Sequence, residues 1–158
     1  MPLVWRLARP EFAEQLDGEG SRIEGGRWNP AGVPALYTSE HLSLSVLEVY
    51  AHLPPQMRDV LPVLTAVQIS LPDKVGSARV TPERLAELLA SADPLAACQA
   101  LGEAWISHGR DLLLQVPSVL VPEETNLILN PAHARMREVK IVSTRAFHFD
   151  PRLVVRRA

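Results

Sequence analysis

Hydrophobic and polar positions along this chain change period repeatedly, and each change marks an element. Leu3 to Leu7 reads as a short opening strand. Val33 to Thr38 reads as a second strand that closes on Ser39. Leu42, Val46, Val49 and Leu53 then keep a helical spacing, which predicts an amphipathic helix over 40–53. Ser39 is placed to cap its N-terminus, and Glu40 to complement the helix dipole in the first turn. From Val63 the period drops to two. Val63, Thr65, Val67 and Ile69 alternate with Leu64, Ala66, Gln68 and Ser70, which predicts a strand.

The second half begins with two helix starts. Thr81-Pro82-Glu83 offers a cap, a proline in the first turn and an acid. Asp93-Pro94 repeats the device for a helix that runs to His108 and stops at Gly109. Leu112 to Val116 reads as an apolar strand ended by Pro117, resumed over Ser118 to Val121 and stopped by Pro122. Lys140 to Ser143 and Phe147 to Phe149 read as late strands. Strands and helices do not alternate regularly. The expected fold class is therefore α+β, a mixed sheet with flanking helices, rather than a doubly wound sheet.

Composition narrows the field. At 158 residues, 47% apolar and 22% charged, the chain is expected to form one domain over residues 1–158. A net charge of −2 provides no broad basic field, so no direct binding to nucleic acid or to an anionic membrane is expected. No apolar run approaches the roughly 20 residues that span a bilayer. Cys98 is the single cysteine, which rules out an internal disulfide and a cysteine metal cluster and suits a reducing cytoplasm. It lies in an apolar run and reads as a small buried hydrophobe.

Candidate chemistry concentrates in a few places. Gly18, Gly20, Gly25 and Gly26 make a glycine-rich loop that ends in Arg27-Trp28-Asn29-Pro30. An arginine after two glycines can project from a tight turn, and its planar fork suits a pair of phosphates. The spacing matches neither G-x-G-x-x-G nor a Walker loop. Glu48 stands among Leu44, Leu47 and Val49, where a carboxylate needs a partner or a task. Ser118 follows Pro117 without a G-x-S-x-G elbow, so a hydrolase-type nucleophile is not expected. Tyr37 falls in a predicted strand. His41, Glu48 and His52 lack the H-E-x-x-H arrangement, and no metal is expected.

Taken together, these residues resemble the RES domain. The stretch from Gly20 to Glu40, including Gly25-Gly26-Arg27-Trp28-Asn29-Pro30 and Leu36-Tyr37-Thr38-Ser39-Glu40, is similar to its opening block. Leu47-Glu48-Val49-Tyr50-Ala51-His52-Leu53 is similar to its central helix. Gln115-Val116-Pro117-Ser118 and Asn126-Leu127-Ile128-Leu129-Asn130-Pro131 resemble two later blocks, and Arg6 and the ending Phe149-Asp150-Pro151-Arg152-Leu153 also fit. The Arg, Glu and Ser of the family name fall on Arg27, Glu48 and Ser118. Few family residues lie between Gln56 and Glu103.

This resemblance implies an ADP-ribosyltransferase-like fold and a toxin that cleaves the nicotinamide–ribose bond of NAD. NAD would be a substrate, and no cofactor is implied. Arg27, Glu48 and Ser118 would be the catalytic residues, with Arg27, Tyr37, Arg6 and Asn126 in contact with NAD. The acceptor stays open between water, phosphate and a target protein. The implied partner is a cognate Xre-like helix-turn-helix antitoxin, and a homodimer is left open. The alternatives are a protein ADP-ribosyltransferase with the same NAD site and a non-catalytic antitoxin-binding domain.

Overall fold

The computed structural model describes residues 1–156, so the last two positions of the expected domain lie outside the described residues. Its strands are β1 (Leu3–Ala8), β2 (Leu36–Ser39), β3 (Leu64–Ser70), β4 (Ser77–Arg79), β5 (Leu113–Pro117), β6 (Thr125–Leu129) and β7 (Lys140–Phe147). The α-helices are α1 (Glu19–Glu24), α2 (Leu42–His52), α3 (Pro82–Leu89) and α4 (Pro94–His108). All seven strands join one sheet in the order β4-β5-β6-β2-β1-β3-β7. β4 and β5 run parallel, and the other neighbours are antiparallel. The α+β expectation holds, as a mixed sheet with flanking helices.

Strand alternation sorts the core into layers. On one face, Val4, Leu36, Val67, Ile69, Leu113, Leu127 and Leu129 pack with Ala13, Leu16, Met136 and Val139. On the other face there are two cores. Leu114, Val116 and Ile128 pack with Leu85 and Leu88 of α3, Cys98 and Trp105 of α4, and Trp28. Leu7, Leu64 and Ala66 pack with Val46 and Val49 of α2 and with Phe149. Between those two cores, β2 and β6 present Tyr37, Ser39 and Asn126, and the candidate site is built on that strip.

Two helix caps match their sequence signals. Thr81 Oγ1 accepts from Arg84 N–H at 3.1 Å, and Asp93 Oδ1 accepts from Ala96 N–H at 3.0 Å. α4 ends at Gly109, whose φ of 62° is left-handed. Cys98 is fully buried, as its apolar surroundings suggest.

Other expectations fail for local reasons. Ser39 closes β2 and does not cap α2. His41 holds the cap position without a side-chain bond, because the Ser39 hydroxyl is committed across the sheet to Asn126. Ser118 to Val121 is a turn, not a resumed strand. There Ser118 N–H reaches Glu124 O, and Ser118 Oγ accepts from the N–H groups of Leu120 and Val121. Residues 19–24 of the glycine-rich segment coil into α1. Lys140–Phe147 is one continuous strand, and Phe149 leaves it to enter the core. The short β4, and β6, had no strand expectation.

Candidate functional site

Arg27 and Trp28 form the tip of a tight turn. Gly26 N–H donates to Asn29 O at 2.9 Å, which closes it. Asn29 is fully buried, and its Nδ2 donates to Ser21 O at 3.1 Å and Val33 O at 2.7 Å. Tyr37, on β2, holds the turn from below. Its hydroxyl donates to Asn29 Oδ1 at 2.6 Å and accepts from Trp28 N–H at 2.9 Å. Gln99 of α4 donates to Gly26 O at 3.0 Å from the side. Only glycine fits at 26, since a Cβ there would stand 2.6 Å from the Tyr37 hydroxyl.

The turn's backbone is thus held on both sides of Arg27, while its side chain is half-buried and makes no ion pair among the described residues. An unpaired guanidinium on a held backbone is suited to an anion with phosphate geometry. Burial pushes the Tyr37 phenol well above its ordinary value, against the opposing pull of the Trp28 N–H and the Arg27 charge.

Two residues further along β2, on the same face, the second half of the site begins. Ser39 is buried, and its hydroxyl donates to Asn126 Oδ1 on β6 at 2.6 Å. Asn126 Nδ2 donates to Glu48 Oε1 at 2.7 Å, and Ser118 Oγ donates to the same oxygen at 2.7 Å. Ser118 takes its own orientation from the N–H groups of Leu120 and Val121, each at 3.1 Å. Glu48 reaches this point from α2, which is anchored to β1 by the bond from Ser45 Oγ to Trp5 O at 3.0 Å. Both donors converge on one carboxylate oxygen. Among the described residues no donor reaches Oε2, which leaves it available to a ligand.

The structure therefore brings Glu48, Ser118 and Asn126 into contact, and Tyr37, two residues from Ser39 on β2, carries the turn that bears Arg27. Arg6 lies elsewhere. Strand alternation puts it on the opposite face from Trp5 and Ser39, where its guanidinium donates to Phe12 O at 3.0 Å and Gln15 O at 2.8 Å. Burial pulls its pKa below the ordinary value, opposed by Asp17. The loop that Arg6 holds borders a cavity of about 610 Å³ with Thr65, Thr144 and Arg145, away from Glu48. His52 turns its Nδ1 to the Glu48 carbonyl at 2.6 Å, and His41 approaches Glu124 at 3.9 Å.

Two residues of the site carried no functional expectation. Ser39 looked like a helix cap because it precedes one. Gln99 falls in the stretch with few family residues, and its only signal is a polar residue beside the buried Cys98.

The arrangement is that of an α+β domain with an anion-seeking arginine and a single, braced carboxylate on one sheet face. The chain belongs to the RES domain family, which matches residues 3–150. It is 37% identical over 155 residues to the Prs ADP-ribosylating toxin of Sphingobium sp. (strain YBL2), covering 95% of each chain. It is 34% identical over 153 residues to a Toxin Res of Yersinia enterocolitica, covering 96% of this chain and 99% of the relative. The fold is shared with a chain in the crystal structure of the M. tuberculosis MbcT-MbcA toxin-antitoxin complex. There the TM-score is 0.69 at 21% identity, over 92% of this chain and 83% of the other. Among the described residues no helix is long and apolar enough to cross a membrane.

Proposed function

We propose that this chain is the toxin of a toxin–antitoxin pair and that it cleaves NAD between nicotinamide and ribose, on an ADP-ribosyltransferase-like fold. The observation that carries the reading is the Glu48 carboxylate, which takes hydrogen bonds from Ser118 and Asn126 on one oxygen and leaves the other free. The bond from ribose C1′ to the cationic nicotinamide nitrogen breaks with its electron pair going to nitrogen. The leaving group departs neutral and needs no general acid, so a single carboxylate suffices where ordinary glycosidases use two. Positive charge develops on the ribose, and Glu48 Oε2 stabilises it through the ring or its hydroxyls. Arg27 holds the pyrophosphate from its braced turn. Tyr37, whose hydroxyl is already bonded on both sides, offers only its ring to a ligand.

The acceptor at C1′ is water, phosphate or a protein side chain. Water or a protonated side chain releases a proton to solvent as it adds, and phosphate adds through an oxygen that already carries negative charge. Transfer to a protein is the second reading, favoured by the name of the Sphingobium relative, an ADP-ribosylating toxin. The partner is a cognate antitoxin, of the Xre-like helix-turn-helix kind that the family resemblance implies. In support, the fold is shared with a chain of a toxin–antitoxin complex.

The test is purified protein with NAD, with and without phosphate and with a cell extract, followed by identification of products. Nicotinamide is expected in whichever arm supplies the acceptor, and in all of them if the acceptor is water. ADP-ribose, its 1′′-phosphate or a modified protein then identifies the acceptor. NAD left intact under all conditions by folded, antitoxin-free protein would leave only a non-catalytic antitoxin-binding role.

A further inference from the structure

Resting on the proposed NAD chemistry, we propose that Ser39 is a positioning residue for Glu48, acting through the carboxamide of Asn126. A carboxamide has two faces of opposite character, NH2 and C=O, and it serves a carboxylate only when the NH2 faces it. Here Asn126 Nδ2 points at Glu48 Oε1 at 2.7 Å while its Oδ1 takes the Ser39 hydroxyl hydrogen at 2.6 Å. Ser39 is paired with Asn126 in the β2–β6 register, so the two side chains stand side by side on the same face. Ser39 is 3% exposed, so its hydroxyl is shielded from bulk solvent.

Ser39 thus fixes from one side what Glu48 fixes from the other. With the hydroxyl gone, Asn126 Oδ1 loses its donor and the amide is held at one end only. It can then swing away from Glu48. The carboxylate keeps Ser118 but loses its second donor on Oε1, and the free oxygen Oε2 loses part of what fixes its direction. Ground-state binding of the pyrophosphate by Arg27 does not pass through this chain of bonds. The signature of the relay is therefore a loss in kcat with KM little changed.

The experiment compares nicotinamide release by wild type, Ser39→Ala, Ser39→Thr, Asn126→Ala and the Ser39→Ala/Asn126→Ala double variant. Ser39→Ala is expected to lower kcat about tenfold, in line with loss of a hydrogen bond to a buried polar group. Ser39→Thr, which keeps the hydroxyl, restores most of it. In the double variant Ser39→Ala adds nothing to Asn126→Ala, since its effect needs the amide. Independently of turnover, the Asn126 side-chain amide signal in 1H–15N spectra shifts and its protons exchange faster in Ser39→Ala. If Ser39→Ala does not fold, Ser39→Cys, a weaker donor, takes its place. Wild-type kcat in the folded variant, additive losses in the double variant, or an unmoved Asn126 signal would each overturn the relay. A wild type that releases no nicotinamide would instead remove the proposed function, and the amide signal would still decide the relay.

Discussion

Gly102 of α4 lies directly against the backbone carbonyl of Trp28, so close that a Cβ at 102 would overlap the Trp28 oxygen. The contact sets the distance between α4 and the turn that carries Arg27. Gly102→Ala must push backbone, not a flexible side-chain end, and is expected to cost about 2–3 kcal/mol, at the upper range for overpacking. Gly20→Ala is the contrast. In α1 its Cβ would meet only Phe12 at an ordinary 3.6 Å, so the substitution should stabilise by about 0.5–1 kcal/mol. Urea melts of both variants check the opposite signs.

Glu48→Gln should fold and bind NAD but turn over poorly. Its remaining carbonyl oxygen can keep the bonds from Ser118 and Asn126. What disappears is the negative charge that a developing cation needs, worth about 10²–10³ in rate. Arg27→Ala should weaken NAD binding as well, since a pyrophosphate contact acts in ground state and transition state alike. Calorimetric binding and single-turnover rates separate the two. A folded Glu48→Gln protein with near wild-type turnover would remove Glu48 from the mechanism.

Tyr37→Phe should leave Trp28 N–H and Asn29 Oδ1 without their partner, at about 1–3 kcal/mol. Its pH dependence has a definite sign. Burial raises the Tyr37 pKa in the folded protein, so the folded state holds the phenol proton more tightly than the unfolded chain. That contribution is complete below the unfolded value of 10.0 and fades as pH rises beyond it. The gap in Tm between wild type and Tyr37→Phe should therefore be constant from pH 7 to 9 and narrow at higher pH.

At the acid end, the hydrogen bonds and charge of Arg135 hold the Glu138 carboxyl below its ordinary 4.5. The stabilisation is present above that value and is lost as pH falls through the lower folded one. Arg135 also donates to Lys74 O and Asp73 O, so releasing it loosens the loop before β4. Any Tm difference between wild type and Glu138→Gln at pH 7 should vanish in strong acid.

Much of the fold was legible because local signals agreed with tertiary demand. Thr81 and Asp93 cap the helices they announce, and the alternation from Val63 becomes β3. Ser39 shows where such reading stops. A serine before a helical pattern looks like a cap, and only the register that places Asn126 opposite it reveals the other use of its hydroxyl. Ser118 to Val121 failed for a similar reason. Its apolar residues suggest a strand, but the Ser118 hydroxyl folds the chain into a turn. Arg27 after two glycines and Glu48 among apolar neighbours stood out as candidates, but joining them with Ser118 into one site needed their family surroundings. The meeting of Ser118 with Glu48 is a contact across 70 positions, which no local pattern encodes.

The site also lies on a seam. Arg27 is tied by Trp28 and Gln99 to the core beneath α4, and Glu48 rides on α2 over the other core of the same sheet face. A molecule that holds both side chains acts as a cross-brace between two packing units otherwise joined through the shared sheet. Its arrival should register as slowed amide exchange in α2 and α4 together, well outside its own footprint.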